Sequence, residues 1–87
     1  MENENKTEIK NAGEIIGTEK VEIWTEYIKL EQLLKLAGIV GSGSDAKALI
    51  TGGEVRVNGN VELQRGKKLR VGDYVEFEGK KYLVAEE

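Results

Sequence analysis

The sequence predicts an α+β fold in which a two-helix layer packs on a small, mostly antiparallel sheet of hairpins. Three observations predict it. Apolar residues recur at helical spacing twice, at Leu30, Leu33, Leu34 and Ala37 and then at Ala46, Leu49 and Ile50. The period then becomes two, alternating on either side of Asn58-Gly59, a strong hairpin signal. A second alternating pair, 74–78 and 81–85, flanks Gly79-Lys80. The chain has 87 residues, enough for one small domain with one modest core and no deep catalytic cleft.

Taken in order, residues 1–19 lack a clear period and are read as an acidic, mobile tail or an extra edge element, leaving 20–87 as the folded domain. Residues 20–25 (KVEIWT) alternate, with Val21, Ile23 and Thr25 on one face of a short strand. Trp24 is read as a core anchor of that strand, with an exposed stacking surface as the alternative. The first helix follows, with Glu31, Gln32 and Lys35 opposite its leucine stripe and Gly38 as terminator. Ile39 and Val40 form an apolar connector. Ser42 and Asp45 have the S-x-x-D spacing of a capping-box variant, so the stretch GSGSD starts the second helix, with Ser44 as an alternative N-cap. Gly52 and Gly53 end it.

In the first hairpin, a three-residue loop over 58–60 sets Val57 opposite Val61, Val55 opposite Leu63 and Arg56 opposite Glu62. It is preferred to a two-residue loop because both faces then match. After a turn at Val71-Gly72-Asp73, the second hairpin is expected to close through a type II′ turn at Gly79-Lys80. That register pairs Phe77 with Tyr82, Val75 with Val84 and Glu78 with Lys81.

Composition excludes several classes of function. There is no cysteine and no histidine, which removes disulfides, thiol catalysis, Cys/His metal sites and histidine bases. No cofactor or metal is expected. No apolar run approaches the roughly 18 residues of a membrane span. The start, MENENKTEIK, is polar and acidic, unlike a secretory signal, and a cytoplasmic protein is expected. The formal net charge of −3 is unevenly placed. Residues 1–26 carry three lysines against seven glutamates, whereas residues 27–87 carry ten basic and nine acidic residues. Placement matters more than the total for binding phosphate.

The Gly/Ser-rich turn raises the question of a phosphate ligand. A nucleotide P-loop needs a Gly-Lys-Ser/Thr at the helix start, and residues 41–46 have no lysine there. Paired catalytic carboxylates are not indicated, because nearly all sixteen acidic residues fall at exposed positions of the expected elements. A ubiquitin-like carrier would need a C-terminal Gly-Gly, and this chain ends LVAEE. Basic residues remain. Lys29, Lys35 and Lys47 are expected on the solvent faces of the two helices. Arg65, Lys67, Lys68 and Arg70 lie in the loop between the hairpins. With the second helix's N-terminus, they form a candidate patch for a nucleic-acid backbone. An ordinary solvated surface is the alternative.

The stretch IKLEQLLKLAGIVGSGSDAKALITGGEVRVNG resembles the S4-like RNA-binding domain, named for a ribosomal small-subunit protein. Lys29-Leu30-Glu31 matches the family's opening, and Ala46, Leu49 and Ile50 match its second helix. Gly53, Val55, Val57, Asn58 and Gly59 match the strand and turn that follow. The resemblance spans about residues 27–77 and is greatest to the small stand-alone bacterial proteins of the YaaA-like type. It implies an alpha-L-type fold whose two-helix surface faces structured RNA. By that resemblance Lys29, Lys35, Ser42, Ser44, Lys47 and Asn58 would touch RNA, while the basic loop comes from charge placement alone. Gly43 stands where many members have arginine, close to Asp45. Both lower the phosphate affinity expected of the turn, although Gly43 would let a backbone approach closely.

The expectation is therefore a non-catalytic, monomeric bacterial protein that binds structured ribosomal or transfer RNA, with the ribosome as a candidate place of action and no membrane partner. The alternative is a protein-interaction module whose acidic N-terminal segment docks a basic partner such as a ribosomal protein.

Overall fold

The computed structural model describes residues 17–87. The elements run β1 (Gly17–Ile23), β2 (Ile28–Lys29), α1 (Leu30–Leu36), α2 (Gly43–Thr51), β3 (Arg56–Val57), β4 (Asn60–Val61), β5 (Lys68–Leu69), β6 (Tyr74–Phe77) and β7 (Lys80–Glu86). A five-stranded sheet has the order β1-β7-β6-β3-β4, and β2 and β5 form a separate two-stranded ladder. Every pairing is antiparallel except β1 with β7, so the α+β, mostly antiparallel expectation is met.

The core forms where the two helices meet the sheet. Leu30, Leu33 and Leu34 of α1 and Ala46 and Ile50 of α2 are fully buried, as the helical stripes predict. On the sheet, Val57 lies opposite Val75 and Val75 opposite Tyr82, a buried row across three strands. Both helices end the same way. Gly38 and Gly53 take positive φ (77° and 76°), and the next residue's N–H returns to the helix: Ile39 donates to the Leu34 carbonyl and Glu54 to that of Leu49, each at 3.0 Å. This is the Schellman closure, and the left-handed position explains glycine at both places. Among the described residues, no helix is long and apolar enough to cross a membrane.

Four expectations are corrected. The leading strand starts at Gly17 and stops at Ile23, so Gly17–Ile23 replaces 20–25. Gly17, Thr18 and Glu19 of the expected tail therefore lie in β1, while residues 1–16, and with them the acidic docking segment of the alternative reading, lie outside the described residues. β1 pairs in parallel with β7, and the Lys80 ammonium meets the Glu19 carboxylate at 2.9 Å, which raises the Lys80 pKa. Trp24 is not a core anchor. Val21 and Ile23 take the inward positions of the alternation, the chain bends at 24–26, and Trp24 is 76% exposed.

The other two corrections concern the hairpins. The first closes through two residues, Asn58 (φ 51°) and Gly59 (φ 90°), which pairs Val57 with Asn60 and Arg56 with Val61. Matching apolar faces had favoured the longer loop, but β4 is a two-residue edge strand, with Val61 48% exposed and Leu63 beyond it 58% exposed. Burial thus had no hold on the register, and the Asn-Gly preference for two positive φ angles decided it. The second hairpin turns at Glu78 (φ 51°) and Gly79 (φ 78°), pairing Val75 with Tyr82 and Phe77 with Lys80. The shift from the expected pairing is two residues. It therefore leaves every side chain on its expected face, and the alternation could not detect it.

Candidate nucleic-acid interface

The basic loop is fastened to the start of α1. Helix starts leave N–H groups without intrahelical partners. Here the Leu30 N–H donates to the Lys67 carbonyl at 2.8 Å, and that of Glu31 to the Arg65 carbonyl at 3.1 Å. The Lys29 N–H donates to Gln32 Oε1 at 3.2 Å. Lysine has no acceptor to return the bond, so only half of a capping box is made. The ladder β2–β5 completes the junction, with Ile28 opposite Leu69, both buried, and Lys29 opposite Lys68, both exposed.

This junction gathers cations. Directly opposed residues of an antiparallel ladder have Cβ atoms about 5 Å apart, and like charges there are destabilising. Lys29 and Lys68 form such a pair. The Lys68 ammonium lies 4.9 Å from the centre of the Tyr27 ring and the Arg70 guanidinium 5.8 Å from it, so one aromatic ring steadies two cations. Arg65 and Lys67 are exposed and supply the carbonyls that hold α1. Five expected residues, Lys29, Arg65, Lys67, Lys68 and Arg70, are thereby brought together. Tyr27 was missed by sequence reasoning. Its signal was an aromatic residue two positions before the first lysine of the helix start.

The other expected residues stand elsewhere. Lys35 is exposed in the last turn of α1, six residues and about 9 Å along the axis from Lys29. Ser42 is the N-cap of α2, its hydroxyl accepting from the Asp45 N–H at 3.2 Å, while Ser44 lies inside the helix. Lys47 is exposed one turn further on. Asn58 is engaged within the fold. Its Oδ1 accepts from the Tyr74 N–H at 3.0 Å and its Nδ2 donates to Asp73 Oδ1 at 3.1 Å. Asp73 Oδ2 in turn accepts from the Arg70 N–H at 2.8 Å. The hairpin tip is thus tied to the turn that carries Arg70. Among the described residues, no group of three His, Cys, Asp or Glu is placed to hold a metal ion.

Two helices on a mostly antiparallel sheet make an α+β arrangement consistent with the S4 class. The chain belongs to that family, since the S4 domain matches it over residues 21–85. It is 49% identical over 59 residues to the probable ribosome maturation protein RlbA of Bacillus subtilis (strain 168), covering 68% of this chain and 83% of that protein. It is 42% identical over 53 residues to the putative RNA-binding protein YbcJ of Escherichia coli (strain K12), covering 61% and 76%.

Proposed function

We propose that this S4-domain protein is a non-catalytic, monomeric binder of structured RNA in the bacterial cytoplasm. In this reading it grips phosphates with the cluster around Tyr27 and meets ribosomal or transfer RNA by shape more than by sequence. The observation that carries the reading is the opposition of Lys29 and Lys68 beside Arg70. Three cations concentrated at one short ladder are unfavourable in the free protein and become favourable with a polyanion between them. Lys35, Lys47, Ser42 and Ser44 extend the surface along the two helices, and Asn58 serves it by holding the Arg70 turn. The names carried by the relatives, one a probable ribosome maturation protein and one a putative RNA-binding protein, agree with this reading and support ribosomal RNA as the first target to test.

The test is binding of total bacterial RNA to the purified chain at two salt concentrations, beside a Lys29→Glu/Arg70→Glu variant. The reading expects affinity that falls steeply with salt and a variant that binds at least about tenfold more weakly, with a shallower salt slope. No binding at low salt by the folded protein would sink it. Sequencing of the retained RNA would identify the target.

A further inference from the structure

Trp24 has no role in the core, and its position gives it another. It stands on the rim of a groove of about 550 Å³ that runs between the end of β1 and the exposed face of α1. Leu36, 54% exposed, lines the groove as a second large apolar surface. Gln32 and Glu26 supply polar groups, and Lys29 and Tyr27 also line it. Those last two residues belong to the cation cluster as well, so groove and cluster are continuous. An aromatic ring exposed beside a phosphate-attracting cluster is the arrangement that receives an unpaired nucleotide, with the base stacked on the ring and the phosphate on the cations.

We infer that Trp24 is the stacking platform for one unpaired base of the bound RNA, seated in this groove while Lys29, Lys68 and Arg70 hold its flanking phosphates. The inference rests on the RNA-binding reading and narrows it: the ligand must present a loop, bulge or end rather than a continuous duplex. Charge complementarity selects a nucleotide over an apolar peptide, because Lys29 is in the groove wall and the paired Lys68 lies immediately beyond it. Glu26 also lines the groove and its charge disfavours a phosphate there, so the phosphates are assigned to Lys29, Lys68 and Arg70 and the base to Trp24.

Trp24 is the single tryptophan of the chain, so its fluorescence reports on this site alone. The full-length protein is titrated with an RNA hairpin carrying an unpaired loop and, separately, with a fully paired duplex of equal length. The hairpin is expected to quench the emission saturably and the duplex to leave it nearly unchanged. Trp24→Ala is expected to weaken hairpin binding about 5- to 150-fold, the range for loss of one stacked base, and Trp24→Phe to keep most of the affinity. Because the ring is outside the core, both variants should keep the wild-type circular dichroism. Salt-sensitive hairpin binding without quenching, or with Trp24→Ala unaffected, would overturn the stacking role and leave the RNA reading standing. Equal quenching by duplex and hairpin would also overturn it. Failure of the wild type to bind either RNA would overturn both. So would quenching by an amphipathic peptide but by no RNA, which would assign the groove to a protein.

Discussion

The two helices begin in opposite ways. The start of α1 is closed: its first N–H groups donate to the Lys67 and Arg65 carbonyls, and its cap residue lies in a ladder. The start of α2 is open: Ser42 caps Asp45 with its own hydroxyl, and residues 41–45 are all exposed. At α1 the backbone donors are engaged by the protein, and side-chain cations are displayed around them. At α2 the local sequence satisfies what it can, and solvent meets the rest. A charged site therefore does not need a free helix end. Occupying the donors of α1 with a loop sets the backbone of Arg65 and Lys67 against the helix start, next to the Lys29–Lys68 pair, whereas the glycine- and serine-rich turn, the more conspicuous stretch of sequence, builds the simpler structure.

Leu69→Ala tests the closed start most severely. Leu69 is fully buried opposite Ile28 and anchors the ladder under the cations. Its truncation should destabilise the fold by about 2–5 kcal/mol, measured by urea denaturation, with RNA affinity falling as the loop loosens. A loss below about 1 kcal/mol would mean that the latch is held by its hydrogen bonds alone.

Lys68→Glu sharpens the contrast because binding should change far more than stability. The change turns a like-charge cross-strand pair into an opposite-charge one but removes the ammonium from the Tyr27 ring, so Tm should shift little while RNA affinity falls about tenfold or more. A large fall in Tm alongside the fall in affinity would make the cluster structural and not poised for an anion. Ser42→Ala is the mildest change and addresses the open start. Loss of the cap should lower stability by about 1 kcal/mol, read by thermal melting, with a smaller change in RNA affinity than Lys68→Glu produces. The reverse ranking in affinity would move the principal phosphate contact to α2.

How much of this was legible in the sequence depended on the kind of signal. The helices were read correctly because their faces, terminators and cap are all written within one or two turns: the leucine stripe of α1, Gly38, Gly53 and Ser42 each stand where the local pattern places them. The hairpins were found but their registers were not, since a two-residue slip in the second is invisible to alternation and the edge position of β4 removed the burial on which the first argument relied. The candidate site was half legible. All five cations of the cluster were singled out, yet the joining of Lys29 to a loop some forty residues later depends on the β2–β5 ladder, two residues per strand, too short to leave a periodic trace. Tyr27 was hidden for the same reason, because the cations beside its ring come from a distant segment, whereas the exposed ring of Trp24 was the alternative reading and its groove is lined by residues 23–36 alone.

The parallel pairing of β1 with β7 has a kinetic consequence. β1, the first strand among the described residues, sets Gly17 beside Lys80, and β7 lies between β1 and the rest of the sheet. β1 has no strand to join until β7 has been made, so the sheet cannot zip up progressively as the chain emerges. Its completion is a late, long-range event. Such pairing raises the contact order and slows completion of the sheet relative to the local turns of the two helices. A nascent chain would therefore have made its helices and the Lys29–Lys68 ladder before the last strand, β7, lets β1 join the sheet.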